Sequence, residues 1–180
     1  MALITTAGSA SANSYGDADG ALAYFLATGR DSQWEQAVAG KPEAWLLRAM
    51  PCIEANSFPG SRATSAQALQ FPRIGGTNRQ AWPSVVAASA ADGLYDLRGR
   101  FFESDSIPEP LKNAQYEQAF AMATDDQWLD DRYESREIKT GSATLKKRTG
   151  RSLGKLCHAA VLQLDGLLLA GRGVVNLVRS

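Results

Sequence analysis

Apolar residues recur along the first third of the chain at helical spacing, and that pattern sets the elements to expect. Leu22, Phe25 and Leu26 fall on one stripe, Asp17 offers an N-cap acceptor and Gly29 a stop, which predicts a helix running to about Ala27. A short turn or helix over Ser32–Val38 carries Trp34. Pro42 suits a first helical turn, and beyond it Trp45, Leu46, Ala49, Met50 and Ile53 form one apolar stripe. Pro51 lies inside that helix and should kink it, because it removes a donor and crowds the preceding turn.

The pattern then weakens. Phe58-Pro59-Gly60, Phe71-Pro72-Arg73, Gly75-Gly76 and Trp82-Pro83 are turn signals, broken by a short predicted helix over Ser84–Ala91. A loop as long as 56–107 is uncommon in a compact domain unless other contacts pin it, and its aromatics (Phe58, Phe71, Trp82, Tyr95, Phe101, Phe102) are suited to that. Asp105 or Ser106 is the expected cap of a helix from Pro108 to about Thr124, with Leu111, Tyr116, Ala119, Phe120 and Ala123 facing inward. After an acidic stretch at 125–137, Ile138–Lys147 reads as a strand or hairpin turning at Thr140-Gly141-Ser142. Ser152–Ala170 is apolar and helix-compatible, but Lys155, His158 and Asp165 interrupt it, so no membrane span is expected. Val174–Val178 is strand-like.

These elements predict a mainly α fold: a small helical-bundle core with long loops, a minor β-hairpin and an extended C-terminal arm. Residues 1–13 are expected to be extended. Residues 14–125 form the helical core with its inserted loop, and 126–180 comprise the acidic linker, the hairpin and a basic, apolar arm. At 180 residues and 44% hydrophobic, the chain has material for one self-sufficient core. Cys52 and Cys157 stand far apart in no CxxC pattern, which argues for inert thiols over a disulfide framework. The opening Met1-Ala2-Leu3-Ile4 lacks the basic and apolar regions of a secretion signal, so none is expected.

Charge changes the picture more. Residues 138–180 hold eight Lys and Arg against one acid, Asp165, a net of +7, which leaves −7 on residues 1–137. Such a division points to a basic element meant for an acidic partner. Candidate chemistry is sparse. One histidine excludes sites needing several imidazoles, and Cys157–His158, adjacent on a helical stretch, makes poor dyad geometry. Asp125, Asp126, Asp130 and Asp131 do not match a calcium loop, and Gly171-Arg172-Gly173 and Gly75-Gly76 lack the P-loop lysine. The expectation is therefore no enzyme, no cofactor and no metal. Lys146-Lys147-Arg148-Thr149-Gly150-Arg151 could grip phosphates, yet no aromatic follows Tyr133 to stack bases within that segment.

Five strings in order carry a resemblance: Ala12-Asn13-Ser14-Tyr15 with Ala18-Asp19 and Ala23-Tyr24-Phe25; the Trp45–Ile53 helix; Gln67-Ala68-Leu69-Gln70-Phe71-Pro72-Arg73; Ile107-Pro108 with Leu111-Lys112; and Lys139-Thr140-Gly141-Ser142. Together they resemble a family of phage head–tail connector proteins, many labelled as DnaT-like single-stranded-DNA-binding proteins. The resemblance covers roughly residues 12–142, with a long insertion between Arg73 and Ile107 and no motif in the last forty residues. It implies a structural virion protein at the neck, assembled in the host cytoplasm. In that reading the chain forms a ring, typically of twelve copies, joining the portal protein to a tail-side protein and touching packaged DNA non-specifically. The C-terminal arm would dock the portal through Lys146, Lys147, Arg148, Arg151, Lys155, Leu164, Leu168, Val175, Leu177 and Arg179. With little tertiary partner of its own, that arm would order on binding, burying Leu162, Leu164, Leu167, Leu168 and Val175. Phe71, Pro72 and Arg73 would lock a loop or meet a neighbouring subunit. The alternative is a replication protein that binds single-stranded DNA.

Overall fold

The computed structural model describes residues 2–75, 93–124 and 156–169 in full, and the backbone of 136–140 and 143–147. Among the described residues five helices dominate: α1 (Ala18–Ala27), α2 (Asp31–Val38), α3 (Pro42–Glu54), α4 (Glu109–Thr124) and α5 (His158–Gln163). The expected mainly α class is what the chain adopts. Three two-stranded antiparallel sheets accompany the helices: β1–β2 (Ser61–Arg62, Arg73–Ile74), β3–β4 (Gly93–Tyr95, Phe101–Glu103) and β5–β6 (Arg136–Thr140, Ala143–Lys147).

Local signals explain most boundaries. The Asp17 carboxylate accepts from Gly20 N at 2.7 Å, capping α1 as its position predicts. At the other end Gly29 turns left-handed, Gly29 N bonds Leu26 O and Arg30 N bonds Phe25 O, the paired bonds of a Schellman close. Pro42 sits in the first turn of α3, and the helix carries Pro51 in its interior on to Glu54. α4 starts later than its expected caps: Leu111 N and Lys112 N bond the Pro108 carbonyl, while the Ser106 hydroxyl turns back to Glu103 O. The β5–β6 register pairs Thr140 with Ala143, the two residues that flank the expected turn, while Gly141 and Ser142 themselves lie outside the described residues. The predicted helix over Ser84–Ala91 and the predicted strand at Val174–Val178 lie outside the described residues.

α3 and α4 pack side by side and divide two apolar clusters. On one side Leu46, Ala49, Tyr116, Ala119 and Met122 meet Phe25 of α1 and Trp34 of α2, whose rings stack at 4.8 Å. On the other side Met50, Ile53, Leu111 and Ala114 meet Phe58 and Phe71 of the loop, Leu94 of β3 and Leu156, Ala160, Leu164 and Leu167 of the C-terminal segment. That last contact corrects the expected free arm. Leu164 and Leu167 are fully enclosed by their own chain and Leu168 packs against the same cluster, so 156–169 completes the core. At about 25 cal/mol per Å² of apolar surface, enclosing such leucines here is worth roughly 2 kcal/mol each, which a free arm would forgo.

Candidate functional site

Because α4 is covered on nearly all sides, its polar residues are buried as well: Gln115, Glu117 and Gln118 are each at most 4% exposed. Each one ties down a different segment. Gln115 Oε1 accepts from Tyr15 N (3.0 Å) and Gly16 N (3.1 Å), and its amide donates to Ser14 Oγ (2.7 Å) and Leu46 O (3.0 Å). The N-terminal segment that carries a family-like motif is thereby clamped onto α4 and α3. Glu117 accepts from both terminal nitrogens of Arg30 and from Tyr24 Oη. Burial, then Glu117, pushes the Tyr24 phenol up to about 12, and burial, then Asp17, does the same for Tyr116. Gln118 Oε1 accepts from Cys157 N at 2.7 Å, and Cys157 Sγ in turn caps α5 through Ala160 N. Burial also pushes the Cys157 thiol up, so it is not an activated nucleophile. His158 is exposed at the first position of α5.

The Phe71-Pro72-Arg73 motif sits in the loop half. Phe71 lies edge-on to both Tyr15 and Phe58, and the Phe71–Pro72 bond is cis. Arg73 is not a surface cation. Its Nε donates to Pro59 O, Nη1 to Gln70 O and Oε1, and Nη2 to Phe58 O and Gly60 O, so all five N–H groups are used. Those bonds favour loop locking over the contact with a neighbouring subunit. Beside it the Tyr15 hydroxyl donates to the Glu54 carboxylate, which also accepts from Gln70 N. Burial raises the Glu54 carboxyl and, with Glu54, the Tyr15 phenol, and burial lowers the Arg73 guanidinium.

A second arginine-rich element emerges at β3–β4, which the sequence marked only as part of a pinned loop. At its tip Asp96, wholly buried, accepts from Arg98 N, Arg100 N and Arg100 Nε. The turn at Asp165–Gly166 covers the tip from outside: Leu97 N bonds Gly166 O, Arg100 Nη2 bonds Asp165 O, and Arg98 pairs with the Asp165 carboxylate. Gly93 has no room for a side chain, since an added Cβ would strike Phe102 O and the Phe101 ring. What remains outward is Leu97, Phe101 against Tyr95 (ring centroids 5.1 Å apart), Arg98 and Arg100.

Of the predicted docking residues, Leu164 is enclosed and Leu168 partly so, which removes Leu164 as a docking side chain. Lys146 and Lys147 stand on β6 opposite Glu137 and Arg136. Arg148, Arg151, Lys155, Val175, Leu177 and Arg179 lie outside the described residues. Shallow clefts exist too: one of about 650 Å³ lies between the N-terminal segment and α4, lined by Tyr15, Asp17, Tyr24, Glu109, Lys112 and Tyr116. Among the described residues no cluster of three His, Cys, Asp or Glu could hold a metal ion, and no helix is long and apolar enough to cross a membrane.

A family model described as "Putative DnaT-like ssDNA binding protein" matches residues 1–91. No curated protein and no solved structure matches the chain.

Proposed function

We propose, on the premise that the chain belongs to the family of DnaT-like ssDNA-binding proteins, that it works by binding and without catalysis, and that its ligand is single-stranded DNA. The observation that carries this reading is the concentration of eight cations against one acid in 138–180 beneath a body of net −7. An acidic body repels phosphate, so the grip falls to the basic segment, of which the β5–β6 hairpin holds Lys139, Lys146 and Lys147. Each phosphate neutralised releases counterions, and the logarithm of affinity then falls with the logarithm of salt by about 0.7 per single-strand contact. Titrating a labelled oligothymidylate at several salt concentrations tests it. Replacing Lys146, Lys147 and Arg148 together by Ala should lower the salt slope by roughly 2. Absence of binding at low salt would remove the reading.

A second reading is the head–tail adaptor: a virion protein forming a ring beneath the portal. The exposed leucines Leu22 and Leu26 on α1 favour it, as does the division of charge, which suits head-to-tail contact between copies. In that reading the leucines that Leu164 and Leu168 cannot supply are Leu162 and Leu169, which remain exposed. Light scattering of the protein alone and mixed with its phage's portal protein separates the two. A ring-sized complex that ignores DNA supports the adaptor, and a mass shift with oligonucleotide alone supports the first reading.

A further inference from the structure

The proposed grip has charge and lacks a surface on which bases could stack, because 138–180 contains no Phe, Tyr or Trp. The β3–β4 hairpin has the complementary chemistry. Over Tyr95–Phe102 the sequence alternates aromatic, apolar and guanidinium groups, and the fold turns several of them outward: Phe101 is 43% exposed, Leu97 50%. Phe101 leans on Tyr95 and is not sunk into the core, and the Arg100 guanidinium stands 5.8 Å from the Phe102 ring centre. This is the interleaving of ring faces and cations on which unpaired bases stack irrespective of sequence.

Charge at the tip decides whether phosphate can approach. Asp96 is buried beneath the turn, so it holds the backbone and the Arg100 Nε without facing solvent. A ligand would meet Arg98 and Arg100, more than 40% exposed, against one exposed carboxylate at the tip, Asp165, with Glu103 at the far end of β4. An exposed pair such as Arg98–Asp165 is worth little, so a phosphate can share or displace it. The tip is also held rigid by Asp96, by the Leu97–Gly166 bond and by Gly93, which lowers the ordering entropy that stacking must overcome.

We propose that the Tyr95–Phe102 hairpin is a base-stacking platform for single-stranded DNA, with Phe101 and Tyr95 as the stacking faces and Arg98 as the phosphate contact. The platform rests on the single-stranded-DNA reading and adds to it the place where bases lie, outside the residues that the family model matches. The test is fluorescence anisotropy of a fluorescein-labelled oligothymidylate with the full chain and the variants Phe101→Ala, Phe101→Trp and Leu26→Ala. Their circular dichroism would be compared first. Phe101→Ala should weaken binding on the order of tenfold, in keeping with loss of one stacked base. Phe101→Trp should keep the affinity, and its added emission should be quenched on binding. Leu26→Ala, which removes a still more exposed apolar side chain elsewhere, should change nothing. If the unaltered protein binds while Phe101→Ala binds equally well, or Phe101→Trp shows no quenching, the platform is wrong and the basic segment alone carries DNA. If the unaltered protein ignores the oligonucleotide at low salt, platform and parent reading fall together.

Discussion

The helical half and the loop half of this molecule solve the same problem by opposite means. In the half built from α1–α4, backbone groups are satisfied within helices, and buried polar side chains are spent on tying segments together: Gln115 holds Ser14–Gly16, Glu117 holds Arg30, Gln118 holds Cys157. In the loop half the side chains stand in for missing secondary structure. Arg73 binds four backbone carbonyls, of Phe58, Pro59, Gly60 and Gln70, that no strand or helix satisfies, and Asp96 does the same for two amides. The lesson is one of concentration. A helix distributes its backbone bonds over many residues, whereas the loop gathers them onto a few side chains: Arg73 and Asp96, with Gln67, Gln70 and Glu54.

The comparison can be broken most directly at Arg73. Arg73→Ala should cost about 3 kcal/mol or more, because it orphans several buried carbonyls at once. Arg73→Lys should recover little, since an ammonium cannot reproduce the fork. Amide exchange should rise across 58–74 first, with Trp34 emission in the helical half little changed. Simultaneous collapse of both halves would show that they are not separable. Gln115→Leu comes next, at roughly 2–3 kcal/mol in urea unfolding, since it strands Tyr15 N and Gly16 N. Replacing Glu117 by Gln should cost roughly 1–2 kcal/mol, because Arg30 is part-exposed and can be rehydrated.

Alkali probes the buried phenols, Tyr24 and Tyr116 in the helical half and Tyr15 beside the loop. Tyr24 and Tyr116 have folded values of about 12 against 10 unfolded. Their contribution is therefore fully present below pH 10 and is lost as pH rises from 10 through 12. Urea midpoints across that range should fall, and Tyr24→Phe should flatten the fall; a flat profile in the parent protein would contradict the burial ascribed to both rings. The smallest expected effect is at Leu26, 65% exposed: Leu26→Asp should shift stability by less than about 0.5 kcal/mol. That variant still sharpens the functional choice, since a drop in assembly mass without loss of stability would favour contacts between copies.

How much of this could be read beforehand differs between the halves for physical reasons. Period and punctuation set α1, α2 and α3, because Asp17, Gly29 and Pro42 act locally. The inward face of α4 was only half legible: Leu111, Tyr116 and Ala119 are buried as expected, but Gln115, Glu117 and Gln118 look in sequence like a solvated stripe. Nothing local announces that neighbours will cover that stripe. The docking of 156–169 was missed for a related reason, since a free apolar arm and a core segment have the same composition. The Arg73 lock was readable as one of two alternatives. The hairpin at 93–103 was not, because its strands are three residues long, with a five-residue loop closed by the Asp96 carboxylate in place of an Asn-Gly turn.

Leu156–Leu167 closes a cavity walled by α3, α4 and the loop, and it does so last in the order of synthesis. While a ribosome is still making the linker, Leu111, Ala114, Met50 and Ile53 have Phe58, Phe71 and Leu94 beside them but lack the cover that Leu156, Ala160, Leu164 and Leu167 provide. The interval from Thr124 to Leu156 lasts on the order of seconds at ordinary elongation rates. During those seconds the apolar wall formed by these residues stays partly open to solvent, because the segment that seals it has not yet been made.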